Sequence, residues 1–422
     1  MRPASLRVAV VSSLLPLCLA GCDGGKPSDG DETRSALARD LAPTVPATDA
    51  ATLSRDNAAF AVALYQQLRP QPGNLVFAPA SISLAMAMTY AGAAGQTATQ
   101  MADAMHFTLP PAALHPAFDA LDLALQSRHA GDGTFELSFA NAVWDGGAGL
   151  LPSFLDTLAT NYGAGVRHVD FADAGRAQAA INGWVSDQTH GRIANLLHDG
   201  DITPQTALYL TNAVWFQADW TLPFAANSPA GTFHASTGDV TVPLMRGQDQ
   251  AQLWQGSGYR AASLGYAGNA VSFVALMPDD GTLDAFEAAL TPEALARMFK
   301  EDASVATVGA LSLPRFAFAQ RVVLKDALAA LGMTDAFLSG TADFSGINGQ
   351  HDLFISRVIH QATIAVNEKG TEAAAATAVG IVRKSAPLSS LVIDRPFLFF
   401  IRDDATGALL FAGRVTNPLL TE

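Results

Sequence analysis

The side chains that could do chemistry are few. His360 offers a base, but no G-x-S-x-G elbow, H-E-x-x-H helix or G-x-x-x-x-G-K-[ST] loop accompanies it. A buried, hydrogen-bonded structural histidine is therefore the better reading. Cysteine is confined to Cys18 and Cys22, ahead of any folded part. Neither a thiol nucleophile, a thiolate metal site nor a disulfide is expected in the domain, although an exported protein could have formed a disulfide. A third feature is the stretch Glu368 to Pro387, EKGTEAAAATAVGIVRKSAP, in which the basic pair Arg383-Lys384 and then Ser385 follow a run of small residues. Two basic residues in a loop are usually only a solvated pair, so loop charge alone assigns nothing.

The small-residue run has three readings. Ala propensity favours a helix, but that helix would carry Ala on every side, have no apolar face, and meet Gly380 within two turns. A linker is the second. Strand-like segments flank the run, Ala362 to Val366 before and Leu391 to Ile393 after, and loops this long inside compact domains are usually functional. The third is a strand in waiting. Alternate residues from Thr371 (Ala373, Ala375, Thr377, Val379, Ile381) are small or apolar, and period-two alternation would turn them inward. Ala is depleted in strands, so propensity alone does not select this reading.

The elements that must carry this segment read as a mixture without strict alternation. Phe60, Leu64 and Leu68 keep helical spacing, and Ser81 to Ala91 is an apolar helix stopped by Gly92-Ala93-Ala94-Gly95. Ala207 to Phe216 is nearly continuous in apolar residues, as for a strand buried on both faces. Val271 to Met277 is a second strand, stopped by Pro278-Asp279-Asp280-Gly281. Leu324, Leu328 and Leu331 mark a helix ending at Gly332, and Leu398 to Ile401 with Leu409 to Ala412 form a C-terminal hairpin. With no internal repeat and no linker after residue 50, one large α+β domain fits the 422 residues best.

Composition narrows the function classes. The chain is 49% hydrophobic and only 15% charged, which describes a core-rich domain and not a disordered one. A net charge of -14 repels phosphate backbones, so nucleic acid is not an expected partner. Arg2 and Arg7 followed by the apolar stretch Val8 to Ala20 have the layout of an export signal. Leu19-Ala20-Gly21-Cys22 resembles a bacterial lipoprotein cleavage box, which implies removal of residues 1–21 and lipidation of Cys22; an ordinary signal peptide containing a cysteine is the alternative. Residues 22–51, rich in Gly, Pro, Ser, Thr and Asp, read as a flexible tether, with order beginning near Thr52.

From about residue 52 to the end, the chain resembles the serpins. Glu368-Lys369-Gly370-Thr371-Glu372-Ala373-Ala374-Ala375 looks like the hinge of an inhibitory serpin's reactive loop, here placed at about 368–390. Asn74 to Met101, Thr211 to Phe216 with Trp220 and Phe224, Leu313-Pro314-Arg315-Phe316, Ala342 to Ile347, Asp394-Arg395-Pro396-Phe397 and Gly413 to Pro418 match the family in order. The resemblance implies a serpin fold of three β-sheets and eight or nine helices, with an exposed reactive-centre loop. It implies a metastable monomer without cofactor or metal that inhibits proteases and is not itself an enzyme. A protease would cut the loop, form an acyl-enzyme, and be distorted as the loop inserts into the central sheet. In inhibitory members the residue matching Thr371 lies 13 upstream of the cut, and 371 + 13 gives Lys384, hence Lys384–Ser385, with Arg383–Lys384 the second choice. Lysine suits a trypsin-like pocket with a buried carboxylate. Ser81, Asn212 and His360 match a buried polar cluster under the central sheet, and Trp220 a tryptophan under its top. Ala78 departs from the family's usual serine. A non-inhibitory binding protein or chaperone of the same fold, and a hydrolase, are the other readings; small hinge residues oppose the first and missing motifs the second. The expected setting is a bacterial membrane, held by the lipid alone and facing periplasm or the extracellular space.

Overall fold

The computed structural model describes residues 30–128, 134–147, 149–300, 303, 306–371 and 389–421. Residues 1–29, Glu372 to Ala375, and Arg383 to Ser385 lie outside the described residues, and with them the expected signal segment, Cys22 and the expected scissile bond.

The strands in chain order are β1 Glu32–Thr33, β2 Leu75–Phe77, β3 Phe135–Asp145, β4 Val166–His168, β5 Leu208–Asp219, β6 Ala230–Ala235, β7 Gly238–Gly256, β8 Tyr259–Gly265, β9 Val271–Pro278, β10 Thr307–Pro314, β11 Phe316–Val323, β12 Ile355–Val366, β13 Gly370–Thr371, β14 Ser389–Val392, β15 Phe397–Asp403 and β16 Leu409–Val415. The helices are α1 Ala47–Leu68, α2 Pro79–Tyr90, α3 Gly95–Met105, α4 Pro111–Gln126, α5 Pro152–Tyr162, α6 Ala174–Gln188, α7 Leu283–Ala288, α8 Pro292–Lys300, α9 Lys325–Ala330 and α10 Ser345–Asn348. Ten α-helices among the described residues exceed the eight or nine expected, three of them being no longer than six residues.

Seven strands form sheet A in the order β1-β4-β3-β5-β13-β12-β11. The other nine form sheet B, β14-β10-β7-β8-β9-β15-β16-β2, with β6 paired to β7. The 19-residue β7 pairs with β6 at its start, β10 along its middle and β8 at its end, so the remaining two expected sheets are joined through one strand.

Three apolar cores follow from this layering. One lies between the sheets and includes Phe216, Ala218, Val366, Met245, Phe273 and Phe399. A second joins α1 to α5 to the lower halves of both sheets. A third packs α6 on the opposite face of sheet A, through Ile181 and Val185 against Trp144, Tyr209 and Ile359. Strand β5 is therefore covered on both faces, which is why its sequence is apolar without alternation. Helix α2 is buried nearly all round for the same reason, and Pro79 opens it at N1, where the missing N–H costs nothing.

The tether expectation needs correction where residues 30–51 are described. Helix α1 starts at Ala47, not near Thr52. Before it, β1 adds an antiparallel strand to the edge of sheet A, with Glu32 opposite Arg167 and Thr33 opposite Val166. Arg39 Nε lies 2.7 Å from Asp119 and Nη2 2.6 Å from Asp122, both buried on α4. Gly163 and Gly165 make room; a Cβ on Gly165 would stand 2.3 Å from Thr33 O. Composition measures how little apolar surface this segment buries, but backbone pairing and buried ion pairs order it instead.

Candidate functional site

Strand β12 does not end in a free loop. After Val366 the chain turns through Asn367 to Lys369 and returns as β13, with Val366 paired to Thr371. Asn367 Oδ1 accepts from Lys369 N at 2.9 Å and Gly370 N at 3.3 Å, while Asn367 N donates to Gly370 O at 2.9 Å. An Asn that bonds the backbone two residues on is the local reason for a turn here. The returning strand lies between β12 and β5, antiparallel to both: Gly370 pairs with Asp219 and Thr371 with Ala218. A Cβ on Gly370 would stand 1.9 Å from Ala218 O, so glycine is required by close approach of backbone.

Below this point β5 and β12 pair directly and in parallel, from Leu208 with Ile355 to Val214 with Ala362. The seam between them is thus already parted at its upper end by the first two residues of β13.

Thr371 is 1% exposed, and its Oγ1 lies 2.7 Å from Tyr266 Oη. Burial pushes the Tyr266 phenol well above its ordinary pKa, against the opposing effect of the Thr371 hydrogen bond, so it is neutral at all working pH. Tyr266 stacks on Trp220 with centroids 4.5 Å apart. Trp220 holds the turn itself: its Nε1 donates to Asn367 O at 2.9 Å and its N to Lys369 O at 2.6 Å. Glu368 is fixed from the other side. Phe224 N donates to its carbonyl at 2.8 Å, Ser228 Oγ donates to its carboxylate, and Arg315 Nε lies 3.5 Å away.

Ser81, Asn212 and His360 lie together halfway down the seam. Asn141, Asn212 and His360 are cross-strand neighbours on β3, β5 and β12, with Ser81 of α2 against them. Asn212 Nδ2 donates to Ser81 Oγ at 2.7 Å and Asn141 Oδ1 at 2.5 Å. His360 Nε2 accepts from Ala78 N at 3.1 Å, so the neutral ring carries its proton on Nδ1 and donates to Asn212 Oδ1. Burial lowers the His360 pKa to about 3, partly opposed by the Asn212 contact. Among the described residues its hydrogen-bond partners are an amide and a backbone N–H, neither a nucleophile. The departure at Ala78 leaves the cluster bonded because that residue contributes its backbone.

Sequence reading missed Tyr266, Asn141 and Asn367. The only available signal for Asn141 was a polar residue on the alternation Phe139-Ala140-Asn141-Ala142; Tyr266 lies 105 residues from the threonine it touches and had none.

Among the described residues no group of three or more His, Cys, Asp or Glu could hold a metal ion, and no helix is long and apolar enough to cross a membrane.

Comparison with known proteins gives one family. The family model described as serpin (serine protease inhibitor) matches residues 55–418. The human leukocyte elastase inhibitor is 36% identical over 87% of this chain and 99% of its own. An uncharacterized serpin-like protein of Thermococcus kodakarensis is 34% identical over 99% of both chains. Among solved structures, the thermophilic serpin tengpin in its native state superposes with a TM-score of 0.80 at 26% identity, covering 92% of this chain and all of that one. Thyroxine-binding globulin in complex with thyroxine gives 0.77 at 29% identity, over 88% of this chain and all of that one.

Proposed function

The chain belongs to the serpin family, and on that premise we propose that it is a suicide inhibitor of trypsin-like serine proteases, cut at Lys384–Ser385 and carried on a bacterial membrane by lipid at Cys22. The observation that carries the inhibitory reading is β13 standing between β5 and β12 with Thr371 buried. It supports that reading because a strand continuing from Thr371 would have a place, a direction and a register.

Extending that register one residue at a time follows from the pairs Thr371 with Ala218 and Thr371 with Val366. Ala373 would come opposite Phe216 and Ile364, Ala375 opposite Val214 and Ala362, Thr377 opposite Asn212 and His360, and Val379 opposite Leu210 and Val358. Four of these eight strand residues, Phe216, Val214, Ile364 and Ala362, belong to the core between the sheets, so on insertion the small and apolar set would face inward. The other set would pass beneath α6, with Ala376 beside Ala213 and Gly380 beside Tyr209, both of the α6-side core. Insertion would replace one parallel seam by two antiparallel ladders, each backbone bond contributing about 1 kcal/mol net. The uncut form persists because parting the packed seam is slow, which makes its stability kinetic.

Cleavage would join the protease's serine oxygen to the Lys384 carbonyl carbon as Ser385 leaves with its new amine. Insertion then competes with water for that ester. Mixing the protein with trypsin should give an SDS-resistant 1:1 complex, and Lys384→Ala should slow or redirect the cut. An equal yield from the variant, with the cut mapped elsewhere, overturns the bond assignment. No complex at all, with cleavage that leaves the melting temperature unchanged, would favour a binding protein of this fold.

A further inference from the structure

The segment joining α6 to β5 crosses the face of sheet A that α6 covers. Its first half is held by apolar contact: Ile193, Leu196 and Leu197 share a core with Trp144 of β3 and Tyr209 of β5. Its second half is held differently. Asp201 is 7% exposed and accepts guanidinium groups from two neighbouring strands, Arg357 of β12 through Nη1 at 2.7 Å and Arg321 of β11 through Nη2. The same carboxylate accepts from His198 N at 2.7 Å. Arg321 Nε donates to Leu196 O at 2.6 Å, and Arg357 Nη2 reaches Gly200 O at 3.4 Å. One short segment therefore spans the β5–β12 seam, with an apolar grip that rests mainly on β3 and β5, Ile359 being its residue on β12, and an ionic grip on β12 and β11.

We infer that Asp201 is a positioning residue for loop insertion, tying the α6–β5 segment to β11 and β12 so that the lower seam opens only when this tie or the apolar grip gives way. The inference rests on the inhibitory reading above. A new strand would part β5 from β12 by about 4.8 Å. Apolar contacts are non-directional and slide, whereas two charge-assisted bonds to one carboxylate do not stretch that far. The segment must then travel with β12, leaving Trp144 and Tyr209, or release both arginines. Either route places the Asp201 contacts on the barrier that separates trapping from release of the protease.

The test compares wild type, Asp201→Asn, Arg357→Gln and the double variant, each as the whole exported protein. Arg357 is the more exposed partner, so its variant remains informative if Asp201→Asn folds poorly. Two rates are read: loss of trypsin-trapping capacity by uncut protein on mild warming, and the fraction of cleavages that end in covalent complex. Each single variant should speed the first about tenfold, as when one buried ionic contact leaves a barrier, and raise the second. The double variant should add little to Asp201→Asn. A residue that only stabilised the fold would lower the melting of cut and uncut forms alike and leave the trapped fraction unchanged, and that result overturns the inference. Wild type that neither traps trypsin nor gains thermal stability on cleavage overturns the inhibitory reading, and this inference with it. Wild type that traps, with variants matching it in both rates, overturns the inference alone.

Discussion

Thr371 Oγ1 lies 2.7 Å from Tyr266 Oη, inside the sheet and 105 residues away in sequence. The first residue of the small-residue run is thus already a core residue, while Trp220, stacked on the same tyrosine, holds the turn that delivers it.

Replacing that threonine by a charged residue should separate cutting from trapping. In Thr371→Arg a guanidinium would have to enter a site that is 1% exposed and offers a phenol as its polar neighbour. An unpaired buried charge costs several kcal/mol, on the order of 3–5. Trypsin should still cut the variant at the same bond and then be released active. Trapping by the variant as efficient as by wild type would show that insertion does not begin here.

Thr377 is the one hydroxyl of the inward set that the register brings to the buried polar row. Insertion would separate Asn212 from His360, which now bond each other, and Thr377 would arrive between them. Thr377→Val should leave the uncut protein's melting unchanged and lower the stability of the cut form by about 1–3 kcal/mol, the cost of stranding buried polar groups. Equal denaturant midpoints for the two cut forms would refute the register.

The His360 cluster sets a pH dependence with a definite sign. Its folded pKa is depressed to about 3 from the ordinary 6.5, so between these values the unfolded chain binds the extra proton and the folded one does not. Its contribution to stability is complete above pH 6.5 and falls as pH drops through that window, by at most about 1.4 kcal/mol per unit. Buried His115, lowered by desolvation to about 4, adds a term of the same sign over a narrower range. Urea midpoints of the uncut protein should fall from pH 7 to pH 4, and His360→Asn should flatten the curve. An unchanged slope in that variant would remove His360 as the cause.

Lipid attachment and inhibition should be separable. Only residues 23–29 stand between Cys22 and the described Gly30, so the leash is at most roughly 25–30 Å, much shorter than a tether running to residue 51. On the proposed lipidation, Cys22→Ala should abolish detergent-phase partitioning in the organism of origin and leave trypsin trapping intact. Partitioning that persists in the variant would rule out Cys22 as the anchor.

Much of this protein was legible in its residues. Buried strands β5 and β9, helix α2 and the β15–β16 hairpin announce themselves because apolar runs and periodicities are local, as are the turn residues that stop them. The run of small alternating residues was legible too, being a property of one short segment, though by itself it left helix, linker and strand open. What only tertiary structure decided is where that segment's first residues go. No local rule makes a strand of Gly370-Thr371; it is one because β5 and β12 are splayed there, Trp220 holds the turn, and Ala218 leaves room only for glycine. The same reason explains the ordering of residues 30–46. Their composition predicts a free chain, because composition counts the surface a segment can bury by itself. The open edge of β4 and the buried carboxylates of α4 supply partners that only the folded molecule brings to them. Asp201 gathers Arg321 and Arg357 in the same way, from 120 and 156 residues away.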